Sequence, residues 1–300
     1  MRPGIGILLT ERIVAAGVAD YAISGTLIAH PEESAHSSAL QGVPAERVVA
    51  MVVEAVRQIQ FQEPPTHIGI GMPGIIGKGI VQDSPNLVQF KGLNMQAIVR
   101  EAFRPVFGNL RVAVFNDADA MAAGIAATHA QLDRLIRVWT IGTGIGFGLY
   151  PYRTGVWEGG HSVVTLDPKE RFCGCGGVGH LEGIMGYRAM RLRFMDMEPD
   201  EIFERAQQGE TRCTDFVKLW HRALAAATAS SIHQAGPGKF FFTGFNAQYL
   251  NLSLLGEYLD EMVKLSPLKG YTLEIVPGGE EVAVIGAAVN AAQAAQAAAG

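Results

Sequence analysis

Apolar and polar positions along the chain follow two periods, and their alternation lays out the fold. Within the first thirty residues, apolar runs at 5–9, 13–19 and 22–28 are separated by polar or glycine breaks, which predicts a meander of three short strands. After a polar loop at 30–38, Val48, Val49, Val52, Val53, Val56 and Ile59 recur at helical spacing behind Pro44, and Pro64 and Pro65 close that helix. A strand at 67–71, a glycine-rich turn (GMPGIIGKG), a polar loop around Asn86, a helix at 95–103 and a strand at 111–115 complete a first round. A second round takes a helix at 118–128, strands at 135–141 and 146–150, and a long loop rich in glycine and cysteine. Helices at 181–195, 199–208 and 214–234, a strand at 239–243, a helix at 247–265, a strand at 271–276 and an alanine-rich helix at 281–298 follow. Strands alternating with helices predict an α/β protein with mainly buried sheets, and the two rounds suggest two related lobes with a cleft.

Composition narrows the function classes. Hydrophobic residues at 48% against 18% charged argue for a soluble globular chain, and no apolar run approaches the roughly 20 residues of a membrane helix. Lys plus Arg at 24 against Asp plus Glu at 29 gives a net charge of −5, which removes the cationic field that nucleic acid or anionic lipid would need. The opening MRPGIGILLTE lacks the apolar core and cleavage site of an export signal, so cytoplasmic residence is expected. Three cysteines, Cys173, Cys175 and Cys213, are too few for a disulfide framework, and the closely spaced pair points to a metal or to nothing.

Common glycine motifs fail. Phe147 stands where a dinucleotide fingerprint beginning at Gly142 needs its last glycine, and Leu9 stands there for one beginning at Gly4. Near Gly71 to Lys78 a phosphate loop is approached, but the leading glycine is one residue too far away and Gly79 replaces the Ser or Thr that would hold magnesium. No G-x-S-x-G elbow is present.

Three stretches keep chemical content. In VFNDADAMAAG, Asn116 and Asp117 sit where a strand gives way to a helix, so Asp117 either caps that helix or serves as a base at the ligand-binding edge of a sheet. In TIGTGIGFGLY, Gly142, Thr143 and Gly144 make either a plain hairpin turn or a nest of backbone N–H groups for phosphate oxygens. In EGGHSVVTLDPKERFCGCGGVGHLEG, His161, Cys173, Cys175 and His180 offer four zinc-type ligands within twenty residues, flanked by Glu158 and Glu182. The dull alternative is two inert thiols and solvated acids.

Taken in order, GIGMPGII, SPNLVQF, VFNDADAMAAG, IGTGIGFG, the E-x-G-H ending at His161, the C-G-C-G-x-x-G-x-x-E ending at Glu182 and the late IGAA at Ile285 resemble the ROK family of bacterial sugar kinases and sugar-responsive repressors. The resemblance implies the two-lobed actin-like ATPase (ribonuclease H-like) fold with an interlobe cleft. The expected division is an α/β lobe over 1–116, rejoined by a terminal helix at 286–300, and a second α/β lobe over 117–285 carrying the zinc loop. It further implies that Asp117 is the catalytic base and that Asn86, Asn116, Glu158, His161 and Glu182 bind the sugar. Thr10, Gly142, Thr143, Gly144, Thr243 and Gly244 would face ATP, with Mg2+ as its companion ion. Structural zinc would be held by His161, Cys173, Cys175 and His180, the last replacing a cysteine usual in the family with an equally competent ligand. A homodimer and a small-molecule sugar partner are likewise implied. Direct DNA reading is not expected, because the first strand starts at about residue 4 with no DNA-binding extension before it.

One departure divides the functional reading. Where the family carries approximately D-x-G-G-T-K, this chain has Gly6, Ile7, Leu8, Leu9, Thr10 and Glu11. The magnesium-organising acid and two phosphate-approaching glycines are gone, and Glu11 adds negative charge. A sugar kinase with an impaired or unusual donor site is one expectation; a non-catalytic sugar-binding or sensor protein is the other.

Overall fold

The structure is a computed structural model and describes residues 1–31 and 39–297. Most of the polar loop at 30–38 and the last residues of the expected closing helix lie outside those residues. In chain order the elements begin with β1 (Gly4–Leu9), β2 (Ile13–Ala19), β3 (Ala22–His30), α1 (Ala45–Arg57), β4 (His67–Met72), β5 (Ile75–Gly77) and β6 (Ile80–Asp83). Next come α2 (Met95–Phe107), β7 (Arg111–Asn116), α3 (Asp117–Thr128), β8 (Ile136–Ile141), β9 (Ile145–Tyr150), α4 (Glu182–Met185), α5 (Tyr187–Arg193) and α6 (Pro199–Gln207). The chain continues through α7 (Thr211–Ala235), β10 (Lys239–Thr243), α8 (Leu252–Met262), β11 (Thr272–Ile275) and α9 (Glu280–Ala297).

Two compact units form. The first takes Met1–Ile136, Gly148–Val156 and Gly278–Gly300, and the second takes Arg137–Phe147 and Trp157–Pro277. This differs from a boundary at 116: α3 belongs to the first unit, because its small-residue face (DADAMAAGIAAT) packs closely on the equally small-residue α9. The first unit holds a five-stranded sheet in the order β3-β2-β1-β4-β7. β1, β2 and β3 pair antiparallel as a meander, and β4 and β7 add in parallel. Ile5, Ile7 and Leu9 face a core that includes Val48, Val52 and Val56 of α1 and Phe103 of α2. The valine spacing that predicts α1 is thus its buried stripe.

The second unit is built on a four-stranded sheet ordered β11-β10-β8-β9. Trp139, Phe240 and Phe242 from this sheet pack with Trp220, Leu224 and Ile232 of α7. Three local differences from the sequence expectation have plain causes. The GMPGIIGKG turn is a short hairpin, β5 with β6. The helix expected over 181–195 divides at Gly186, whose backbone is extended, and the helix expected over 247–265 is a one-turn 310 helix (Phe245–Tyr249) followed by α8. Asn251 causes that restart, since its side chain accepts the Leu254 N–H at 3.1 Å and caps α8. Among the described residues no helix is long and apolar enough to cross a membrane.

Two buried histidines stitch elements together. His67 Nε2 lies 3.1 Å from the Ala288 carbonyl of α9 and donates to it. His221 donates from Nδ1 to the Val217 carbonyl at 2.8 Å and accepts the Asn251 N–H on Nε2 at 2.9 Å, so it is held as one neutral tautomer. Burial lowers the pKa of both rings against the opposing pull of those carbonyls. The unfolded chain therefore binds more protons as pH falls below about 6.5, so stability is full above that value and is lost as pH falls through the folded-state pKa values. Thermal unfolding followed from about pH 7.5 down to about pH 5 is expected to show a falling midpoint, and His221→Gln is expected to make that decline shallower.

Candidate active site and metal cluster

In the first unit, β7 delivers Asn116 and Asp117 to the C-terminal edge of the sheet, the edge at which α/β proteins habitually bind ligands. Asn116 caps α3, with Oδ1 accepting the Ala118 N–H at 2.8 Å, and its Nδ2 donates to the Gly74 carbonyl at 2.9 Å. Asp117 Oδ1 also accepts the Ala118 N–H, at 3.0 Å. The neighbouring Pro73 carbonyl receives the Ser84 hydroxyl at 2.7 Å, and Ser84 Oγ accepts the Leu87 N–H at 3.3 Å. Asn86, exposed on the loop that Ser84 anchors, is thereby held to the same turn as Asn116 and Asp117. Each end of the Asn116 amide makes one bond to the protein and keeps one donor and one lone pair for a further partner.

The first loop is closed by packing. Leu8 and Leu9 are both buried, so neither lines an open loop. At Gly6, where the resemblance leads one to expect an acid, a Cβ would run into the Val284 carbonyl of α9. Thr10 donates its N–H to the Arg12 carbonyl at 3.2 Å within a tight connection to β2. Arg12 is paired with Glu280 through two hydrogen bonds, at 2.9 and 2.5 Å, which raise its pKa further.

In the second unit, residues 157–181 hold little regular structure beyond a one-turn 310 helix (Gly159–His161) and an isolated antiparallel bridge of Val163 with His180. That bridge, with Val164 N–H to Gly179 O at 2.8 Å and Leu181 N–H to Ser162 O at 2.9 Å, brings His161 beside His180. The four atoms form a ring: His161 Nδ1 to His180 Nδ1 3.3 Å, His180 Nδ1 to Cys175 Sγ 3.2 Å, Cys175 Sγ to Cys173 Sγ 3.4 Å, and Cys173 Sγ to His161 Nδ1 3.5 Å. All lie within 4.8 Å of one another, so these residues could hold a metal ion. Tetrahedral zinc with ordinary bond lengths has edges of about 3.4 Å for N to N, about 3.5 Å for N to S and about 3.8 Å for S to S, and the donor set fits it. Burial raises the Cys173 thiol to about 12, with Glu182 pushing the same way, so a thiolate at this position requires a cation. His180 is lowered by burial and by neighbouring His161, which keeps it neutral and ready to ligate.

Carboxylates flank the cluster. Glu158 Oε2 lies 3.9 Å from His161 Nε2, and burial, reinforced by Glu182, raises its pKa against the pull of His161. Glu182 sets Oε1 3.6 Å from Cys173 Sγ and accepts the Ile145 N–H on Oε2 at 3.0 Å. The turn of residues 142–144 is thus tied to the cysteine loop. The Gly142 N–H donates to the Gly144 carbonyl at 3.0 Å, so the expected nest narrows to the N–H groups of Thr143 and Gly144. Thr243 ends β10 and Gly244 follows it: Asn246 Nδ2 donates to the Gly142 carbonyl at 3.3 Å, and the buried Thr243 hydroxyl has no partner among the described residues.

Sequence reasoning missed the supports. Glu170 forms a bidentate pair with Arg193, whose guanidinium lies 4.5 Å from the Phe172 ring centre, and the Glu170 carbonyl accepts the Gly179 N–H at 2.7 Å. An acid inside a glycine and cysteine loop was the available signal, but its partner lies 23 residues away.

Comparison with known proteins follows the same outline. The ROK family model matches residues 22–293. A glucokinase of Pyrobaculum calidifontis is 27% identical over 259 residues, covering 81% of this chain and 83% of that protein. The ROK hexokinase from Thermus thermophilus superposes with a TM-score of 0.78 at 23% identity over 98% of this chain and 99% of its own. A ROK family glucokinase from Streptomyces griseus, solved in complex with glucose and AMPPNP, superposes with a TM-score of 0.69 at 23% identity over 97% and 99%.

Elemental analysis of the purified chain is expected to give about one zinc per molecule, retained in His180→Cys and lost in Cys175→Ala. Gly6→Asp, which presses a carboxylate onto the Val284 carbonyl, is expected to destabilise the chain by more than about 2 kcal/mol in denaturant unfolding.

Proposed function

The chain belongs to the ROK family and has the actin-like ATPase fold of its sugar kinases, and from that premise we propose that it transfers the γ-phosphoryl group of ATP to a hydroxyl of a hexose or amino sugar. The observation that carries this reading is the orientation of His161. Its Nδ1 faces the metal cluster while its Nε2 turns toward Glu158. With Nδ1 given to a metal ion, His161 would keep its proton on Nε2 as a donor. A donor beside a carboxylate acceptor suits a sugar hydroxyl, which both gives and takes hydrogen bonds. Glu182 keeps lone pairs beyond the one that Ile145 uses and completes the acidic lining.

Asp117 is the base in this proposal. Its carboxylate takes the proton of the attacking hydroxyl as the sugar oxygen bonds to the γ-phosphorus and the bond to the ADP oxygen breaks. The Thr143 and Gly144 N–H groups and the Thr243 hydroxyl supply donors toward the phosphates of ATP. Magnesium would neutralise phosphate charge, but position 6 offers it no ligand, so the family's first-loop contribution to the ion is absent from this chain.

That absence supports a second reading, a sugar-binding protein without turnover, because Val284 occupies the space a first-loop acid would need. ADP release with Mg-ATP and a panel of hexoses and amino sugars separates the two. Sugar-dependent release, lowered about 10²- to 10⁴-fold in Asp117→Asn with sugar affinity retained, is the expected result. Calorimetric sugar binding with no ADP release for any sugar replaces the kinase with the second reading.

A further inference from the structure

We propose that Glu182 is a positioning residue through which the metal cluster sets the affinity of the 142–145 turn for the phosphoryl donor; this rests on the reading that the turn receives donor phosphates. The segment after the last cluster ligand meets the turn at three places. Glu182 Oε2 accepts the Ile145 N–H at 3.0 Å, the Tyr187 N–H donates to the Gly142 carbonyl at 3.2 Å, and a Cβ on Gly186 would lie 3.1 Å from the Thr143 carbonyl oxygen. The two N–H groups that the turn presents therefore lie inside a strap anchored at both ends.

The other oxygen of Glu182 faces Cys173 Sγ at 3.6 Å, so one carboxylate spans a cluster ligand and the turn. The cluster also sets where α4 begins. His180 O accepts the Gly183 N–H at 3.0 Å, and Leu181 O accepts the N–H groups of Ile184 and Met185, both at 2.9 Å. On the turn side Gly144 leaves the necessary room, because a Cβ there would stand 2.5 Å from Glu182 Oε2. Releasing the cluster frees residues 173–181, shifts the start of α4, and withdraws the acceptor that orients the Ile145 peptide next to Gly144. Such coupling is reciprocal: the metal tightens donor binding by the same factor by which the donor tightens metal binding.

The test uses the full chain, metal-loaded and chelator-stripped, with ADP and inorganic tripolyphosphate as probes in calorimetry. Stripping is expected to weaken both probes about tenfold, and saturating ADP is expected to raise metal affinity in chelator competition by the same factor. In metal-loaded Glu182→Ala with unchanged zinc content, ADP affinity falls about tenfold, whereas Glu182→Gln, which keeps an acceptor for Ile145, recovers most of it. Should Glu182→Ala lose zinc or fail to fold, Gly144→Ala replaces it, since it displaces the carboxylate with all four ligands intact and carries the same expected loss. Equal ADP affinity in the loaded and stripped chain, or variants that weaken sugar alone, overturns the coupling while leaving the turn as a donor site. Absence of ADP and tripolyphosphate binding in every form overturns that assignment and the coupling with it.

Discussion

Four donor atoms from a stretch with almost no secondary structure converge to within 4.8 Å, and the order of the second unit's site hangs on that convergence. A loop of this length has no core of its own, and long structureless loops in compact domains usually carry a function that holds them. Here the restraints are few and specific: the Val163 to His180 bridge, the Glu170 to Arg193 pair and the tight turn at Cys173. They place two thiols and two imidazoles edge to edge, an arrangement with poor internal complementarity until a cation sits among them. Burial holds the Cys173 thiol protonated without a metal, so metal binding there would release that proton and strengthen as pH rises.

A different constraint governs the first unit. α9 lies so close on β1 and α3 that carbonyl oxygens of the helix occupy the space of side chains, which selects small residues on both partners. The selection reaches the first loop, where Gly6 is required by the approach of Val284. Leu8 and Leu9 fit the same account, since both lie buried in β1 instead of lining a loop. The Thr243 hydroxyl, at the end of β10, is buried and has no hydrogen-bond partner among the described residues.

Much of this was legible in the residues. Period-two and helical spacing located the strands and most helices within a few positions, because each buries one face in a single core. H-x11-C-x-C-x4-H named all four cluster residues, since ligand chemistry is carried by residue type and tolerates spacing. What stayed hidden depends on partners distant in sequence. The hairpin β5 with β6 was masked by glycines, the division at Gly186 follows from the strap on the turn, and membership of α3 in the first unit follows from its contact with α9, over 150 residues away. Asn116 and Glu182 were named as sugar ligands from their motifs, but only coordinates show that Asn116 also bonds Gly74 and Ala118 and that Glu182 also accepts from Ile145.

The histidine at position 180 changes the electrostatics around those acids. Zinc with two thiolates and two neutral imidazoles carries no net charge, whereas three thiolates and one imidazole would carry −1. Glu158 and Glu182 lie beside this cluster and already repel one another. A neutral cluster relieves them of a third negative neighbour in a partly buried setting, where charges are weakly screened. With His180 as the fourth ligand in place of a thiolate, a bound zinc ion would add no net negative charge beside the two carboxylates.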